Sequence, residues 1–135
     1  YIQLLKAAVK KAGEYPGYYL VIAQGSSAAW LTKIYAEVKS NIPDALVAIS
    51  AYWPERAYNQ KLAEYMAKTP MPVLDLFDPW DNTWVLNSAG QRKTSAVKSL
   101  KLMYRQRQLP SVNHAEQQAY TKSREIHGWL TNMGW

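Results

Sequence analysis

Short, largely apolar runs that recur along this chain constrain its fold more than any other feature. They occupy residues 18–23 (YYLVIA), 45–52 (ALVAISAY) and 73–77 (VLDLF), and each is long enough for one strand. Runs of this kind are typical of strands that are buried on both faces of a parallel sheet. A more polar run at 103–109 predicts a fourth strand nearer the edge of that sheet.

The segments between these runs carry apolar residues at the spacing of an amphipathic helix. They predict helices over residues 2–12, 28–39, 55–68, 89–102 and 116–130. Strands that alternate with helices pair in parallel through right-handed crossovers, with helices on both faces of the sheet. The prediction for residues 1–135 is therefore a single α/β domain, a three-layer αβα arrangement with a mainly parallel sheet of about four strands.

Composition excludes several classes of chemistry. The chain has no cysteine and two histidines, His114 and His127. Disulfides, thiolate catalysis and cysteine-based zinc sites are therefore excluded, and we expect neither a metal site nor a cofactor. The net charge of +6 comes from residues scattered over several predicted helices, which favours a solvated basic surface over a nucleic-acid interface. No apolar run approaches the ~20 residues of a membrane-spanning helix.

In α/β sheets, chemistry gathers at the carboxyl ends of the strands, and a small-x-Ser-x-small pattern follows the first strand. It reads Gly25-Ser26-Ser27-Ala28-Ala29. At a strained turn from strand to helix, a nucleophilic serine needs small residues two positions before and after it, which predicts Ser27 as the strained residue. The alternative is that Ser26 or Ser27 caps the following helix.

Two further candidates follow the third and fourth strands. Asp81 stands in the loop 78–82, and His114 stands just before the last predicted helix. The alternatives are a turn or helix-cap role for Asp81 and an exposed loop position for His114. Asp75, inside the third strand, is predicted to have a structural role.

Ser27, Asp81 and His114 thus stand at strand ends in the chain order Ser, Asp, His that α/β-hydrolases use. The chain resembles the C-terminal half of the α/β-hydrolase fold, from the helix before the nucleophile strand to the last helix. It is most similar to an uncharacterised bacterial α/β-hydrolase-like family with many exported members, which implies a periplasmic or exported protein. The resemblance implies Ser27 as nucleophile, His114 as base and Asp81 as the acid that orients the base. It also implies the backbone amide of Ala28 as one oxyanion donor.

The activity that this resemblance implies is hydrolysis of a carboxylic ester by the intact protein. The second oxyanion donor belongs to an earlier loop of the fold that these residues do not include, so we expect little activity from them alone. Residues near strand ends suggest a pocket for an acyl substrate. Those predicted to line it are Ser26, Trp53, Trp80 and Trp84. Core and rim packing is the alternative for each tryptophan.

Two other functions stay open at this point. The serine pattern is imperfect because Ala29 stands where glycine is more common, and this favours a non-catalytic, hydrolase-like binding or scaffold protein of the bacterial envelope. The net charge of +6 alone favours a basic module that binds anionic polymers. We also expect a homodimer through strand 18–23, because the earlier strands that pair with it in the hydrolase fold are missing and an open apolar edge invites a second copy.

Overall fold

The computed structural model describes residues 19–38, 42–101, 103–110 and 115–134, and in them four strands alternate with four helices. The elements are β1 (Leu20–Gln24), α1 (Ser26–Glu37), β2 (Ala45–Ile49), α2 (Arg56–Lys68), β3 (Val73–Phe77), α3 (Thr83–Lys98), β4 (Tyr104–Gln108) and α4 (Ala115–Asn132). The helix predicted at 2–12 lies outside the described residues. Of the described helices, none combines the length and the hydropathy that crossing a membrane requires.

The four strands form one parallel sheet in the order β1-β2-β3-β4. The central strands β2 and β3 are buried along their whole length, as their apolar runs predict. The polar strand β4 lies at one edge and is partly exposed. The predicted α/β fold with a four-stranded parallel sheet is therefore confirmed.

Helices cover both faces of the sheet, because alternate strand residues point to opposite sides. On one face, β2 and β3 pack against α1 and α2 in a cluster that includes Leu31, Tyr35, Leu46, Ala48, Leu62 and Val73. On the other face, α4 packs on the alternate positions through Val47, Leu74, Leu76 and Trp129. Helix α3 lies on the first face, where Phe77 packs with Val85 and Ala89. These layers leave the carboxyl ends of the strands at one rim.

Several element boundaries differ from the prediction, and the differences at the end of β2 and the start of α3 have a clear physical cause. Strand β2 ends at Ile49 rather than at residue 52, because Ser50 adopts a φ of 54° that a strand cannot continue. Helix α3 begins at Thr83 rather than at residue 89. The side chain of Asn82 caps it by accepting a hydrogen bond from the amide of Val85 at 3.0 Å. A good cap thus starts the helix earlier than its apolar spacing indicates.

A buried polar network joins β3, β4 and α3. The side chains of Asp75 and Arg92 are fully buried, and Arg92 Nε donates to Asp75 Oδ2 at 2.6 Å. The same oxygen accepts from Tyr104 Oη at 2.6 Å and from Gln106 Nε2 at 3.1 Å. Burial and the Asp75 carboxylate raise the pKa of Tyr104, so its hydroxyl keeps the proton that it donates. Asp75 is therefore structural, and the prediction of a solvated basic surface is wrong for Arg92.

Candidate functional site

The carboxyl ends of the strands lie side by side at the rim of the sheet. The amide of Gly25, just after β1, donates to the carbonyl of Ile49 at 2.9 Å. The amide of Ser50, just after β2, donates in the same way to the carbonyl of Leu76 at 2.7 Å. The turn after β1 is therefore adjacent to the turn after β2, which is adjacent to the loop after β3.

The strained residue in the turn between β1 and α1 is Gly25, with φ 66° and ψ −138°. Ser27, which the sequence predicts in that conformation, is instead the second residue of α1, so this part of the prediction is wrong. Glycine adopts a positive φ without the steric cost that a Cβ atom imposes. The small-residue pattern is also met when it is centred on Gly25, because Ala23 and Ser27 stand two positions before and after it.

Ser26 and Ser27 begin α1, and both are exposed. The N-cap residue is Gly25 and no side chain caps the helix, so neither serine has the capping role of the alternative interpretation. The amide of Ala28, predicted as an oxyanion donor, donates to the carbonyl of Gly25 at 3.1 Å. That amide is therefore already engaged within the first turn of the helix.

Asp81 connects the loop after β3 to the turn after β2. Its Oδ2 accepts hydrogen bonds from Ser50 Oγ and from the Asp78 amide, both at 2.8 Å. Its own amide donates to the Asp78 carbonyl at 3.2 Å. Asp78 Oδ1 in turn accepts from the amide of Trp80 at 2.8 Å. Asp81 is thus half-buried in a closed turn, and its carboxylate orients the neighbouring groups.

Ser50 is a site residue that the sequence did not reveal. The prediction placed it inside a strand, where a serine would have no special role. Its φ of 54° is uncommon for a residue with a side chain, and such conformations cluster at functional sites. The one available signal was a serine that interrupts an otherwise apolar run, which is too common to single it out.

A cavity of about 170 Å³ opens beside Asp81, between the loop after β3 and α4. The polar and aromatic residues that line it are Asp78, Trp80, Asp81, Gln118, Thr121 and Lys122. Among the described lining residues, two carboxylates and one ammonium group give a formal net charge of −1. Trp80 is 81% exposed, so its ring is available to a ligand at the opening.

The predicted pocket residues therefore separate in space. Trp80 lines the cavity beside Asp81. Trp53 is 3% exposed and packs against three aromatic rings, so the core alternative holds for it. Trp84 lines a different groove, between α2 and α3. The expectation that these tryptophans share one pocket mouth is wrong.

One of the two histidines, His127, lies among the described residues. His114 lies outside the described residues, so its approach to Asp81 stays a prediction. His127 is exposed on α4 and matches the expectation of a surface residue. In the part of the chain that the structure describes, no three or more His, Cys, Asp and Glu residues cluster as metal ligands would.

Comparison with known proteins identifies a family whose function is unknown. The family model described as a protein of unknown function, DUF3530, matches residues 2–132. No curated protein and no solved structure matches the chain. Its function must therefore be inferred from the site itself.

Proposed function

The chain therefore belongs to the DUF3530 family, and we propose that it is a hydrolase-like binding protein with a ligand site in the cavity beside Asp81. In this proposal it has no serine nucleophile at the turn after β1. The observation that carries the proposal is the glycine at the strained position of that turn.

The backbone of the turn supports a non-catalytic role. In a nucleophile elbow the reactive serine itself occupies the strained residue, which projects its hydroxyl at the top of the sheet. Here that residue is Gly25, which has no side chain to react. Ser27 is exposed, but it starts a regular helix and lacks the conformation that presents a nucleophile.

The contacts of Asp81 support a ligand site. Its Oδ2 holds the Ser50 hydroxyl and the Asp78 amide, which fixes the shape of the cavity wall. A pre-formed concave wall with a few polar groups is the usual form of a small-molecule site.

The lining indicates the chemical class of the ligand. Two carboxylates accept hydrogen bonds and favour a cation, while the ammonium group of Lys122 and the side-chain amide of Gln118 add donors. The volume of about 170 Å³ lies below the usual range of drug-sized pockets. The expected ligand is a small molecule that carries an amine and a hydroxyl group.

A second candidate function is ester hydrolysis by Ser27, His114 and Asp81, as the resemblance implies. The exposure of Ser27 at the rim that also carries Asp81 is the observation that favours it. In that case Ser27 attacks the ester carbonyl and His114 takes its proton.

Covalent labelling distinguishes the two functions. The intact protein is incubated with a fluorophosphonate probe beside an active serine hydrolase, and its peptides are analysed by mass spectrometry. We expect no adduct on Ser27 of the wild-type protein, so that wild type and Ser27→Ala give the same labelling pattern. An adduct on Ser27 that is lost in Ser27→Ala would establish the hydrolase and overturn the binding proposal.

Binding itself is tested by NMR titration of the intact protein with ethanolamine. We expect the amide signals of Trp80 and Lys122 to shift, and the shifts to weaken in Asp81→Asn, which keeps an acceptor oxygen but removes the charge. Asp44→Asn is the matched control, because Asp44 is exposed and accepts from the Tyr19 amide far from the cavity. Equal weakening in both variants, or no shifts at all, would contradict the proposed ligand class.

We further propose that a second copy of the chain pairs along β1. Among the described strands, β1 pairs with β2 alone, so its other side carries backbone groups without a strand partner. Ile22 on this strand is 54% exposed, which is unusual for an apolar residue in the middle of a strand. Pairing with a second copy would satisfy the edge and cover this residue.

A further inference from the structure

A second, basic groove lies between the edge strand β4 and helix α4. Tyr104 and Gln106 reach Asp75 on the α3 face, so the alternate residues Arg105 and Arg107 point to the α4 face. Helix α4 adds Arg124 opposite them, and the groove between has a volume of about 370 Å³. Three guanidinium groups from two elements therefore surround one concavity.

The charges in this groove do not balance. Arg107 Nε pairs with Glu125 Oε2 at 3.3 Å. Arg105 and Arg124 have no ion-pair partner among the residues that the structure describes. Three arginines against one glutamate leave an excess of two positive charges. Since Arg105 is half-buried, holding its charge there without a counter-charge is unfavourable.

We infer that this groove binds a phosphate monoester. The charge of a phosphate monoester at neutral pH, about −2, matches the excess of the groove. Guanidinium groups bind phosphate oxygens through paired, charge-assisted hydrogen bonds, and Arg105 and Arg124 approach from two sides. The amide of Asn132, also in the lining, can donate to the same anion.

An aromatic residue at the groove indicates what the phosphate is attached to. Tyr120 lines the groove and is 68% exposed, so its ring is available to a flat or apolar group next to the phosphate. The groove is within the usual size range of small-molecule sites. It shares Pro110 and Thr121 with the cavity beside Asp81, but its ligand has the opposite charge.

Titration of the intact protein with phenyl phosphate at constant ionic strength tests this site. We expect wild type to bind phenyl phosphate. Arg105→Gln and Arg124→Gln should each bind it at least about tenfold more weakly, because each variant loses a charge-assisted contact. Arg56→Gln is the matched control, since it removes the same charge from an exposed position at the start of α2. It should bind as wild type does. Circular dichroism melting of each variant checks that it folds.

Vesicles identify the source of the phosphate group. Co-sedimentation with vesicles of phosphatidic acid, but not phosphatidylcholine, that is lost in Arg124→Gln would assign the groove to a lipid headgroup. Binding of phenyl phosphate without vesicle binding would assign it to a free ligand. Equal loss of binding in Arg56→Gln, or no binding of either probe by wild type, would overturn the proposal.

Discussion

Gly25 combines φ 66° with ψ −138°, a conformation that residues with a side chain rarely adopt. Space is not the constraint, because a Cβ atom there would lie 3.8 Å from Tyr52 Cε1, an ordinary contact. Gly25→Ala should therefore lower the free energy of unfolding by about 1–3 kcal/mol through backbone strain alone. Urea unfolding measures this change.

Gly90→Ala is the matched control for that substitution. Gly90 lies inside α3, is exposed, and has no heavy atom within 4 Å of an added Cβ. Alanine is the better helix former, so this variant should gain about 0.5–1 kcal/mol. If both variants lost stability equally, the strain assigned to Gly25 would be wrong.

The same residue explains how far the sequence could define the turn. The position of a turn from strand to helix was predictable from the apolar run before it and the helical spacing after it. Two frames met the requirement for small flanking residues, one centred on Gly25 and one on Ser27. The freedom of glycine to adopt a positive φ favours Gly25, whereas the resemblance to a nucleophile elbow favours Ser27. Which residue bears the positive φ is decided by how β1 and α1 pack on the sheet.

At the scale of elements, Lys101 joins the connection that precedes β4 to the connection that follows α2. Its Nζ donates to the carbonyls of Thr69 and Met71 at 2.5 and 2.9 Å, in the connection between α2 and β3. Burial lowers the pKa of Lys101 from 10.5 to about 8. Between these values the unfolded chain binds more protons than the folded chain, so this residue makes stability rise with pH from about 8 to 10.5. The neutral amine still has two N–H donors for the two carbonyls.

Lys101→Met removes this titration. The unfolding free energy of wild type minus that of the variant should be constant below pH 8 and increase as pH rises above it. Urea titrations at several pH values between 7 and 10 measure the difference. Lys98→Met, at an exposed position on α3, controls for the loss of one positive charge. A difference that falls with rising pH would contradict the assignment.

The elements themselves were largely predictable, and their long-range partners were not. The runs at 18–23, 45–52, 73–77 and 103–109 each overlap a strand. Burial on both faces leaves a local signature in β2 and β3, whereas the edge strands β1 and β4 are partly exposed. Arg92 is an example of a partner that could not be predicted, because the carboxylate that it contacts is 17 residues away on a strand. Helical spacing cannot distinguish an arginine that reaches such a partner from one that is solvated.

For the whole molecule, sequence order equals spatial order, because each strand lies next to the strand that follows it in the chain. This arrangement brings the turn after β1, Ser50 and Asp81 to one rim without any contact that a local pattern could reveal. The candidate residues at strand ends were therefore found by topology, whereas their hydrogen bonds were not. It also leaves β1 and β4 as the two edges of the described sheet, and they differ: β4 carries arginines and glutamines, while β1 is apolar.

The apolar edge leads to a prediction about assembly. If two copies pair along β1, sedimentation of the chain of residues 1–135 should show a mass that rises toward twice that of the monomer as concentration increases. Ile22→Lys should keep the protein monomeric, because pairing would place the new charge next to a strand of the second copy, whereas in the monomer the side chain is already 54% exposed. Val97→Lys is the matched control, since Val97 is a similarly exposed apolar residue, 67% accessible, on α3 away from this edge. It should dimerise like wild type. A monomeric wild type at every concentration, or equal dissociation of both variants, would mean that β1 is not the interface.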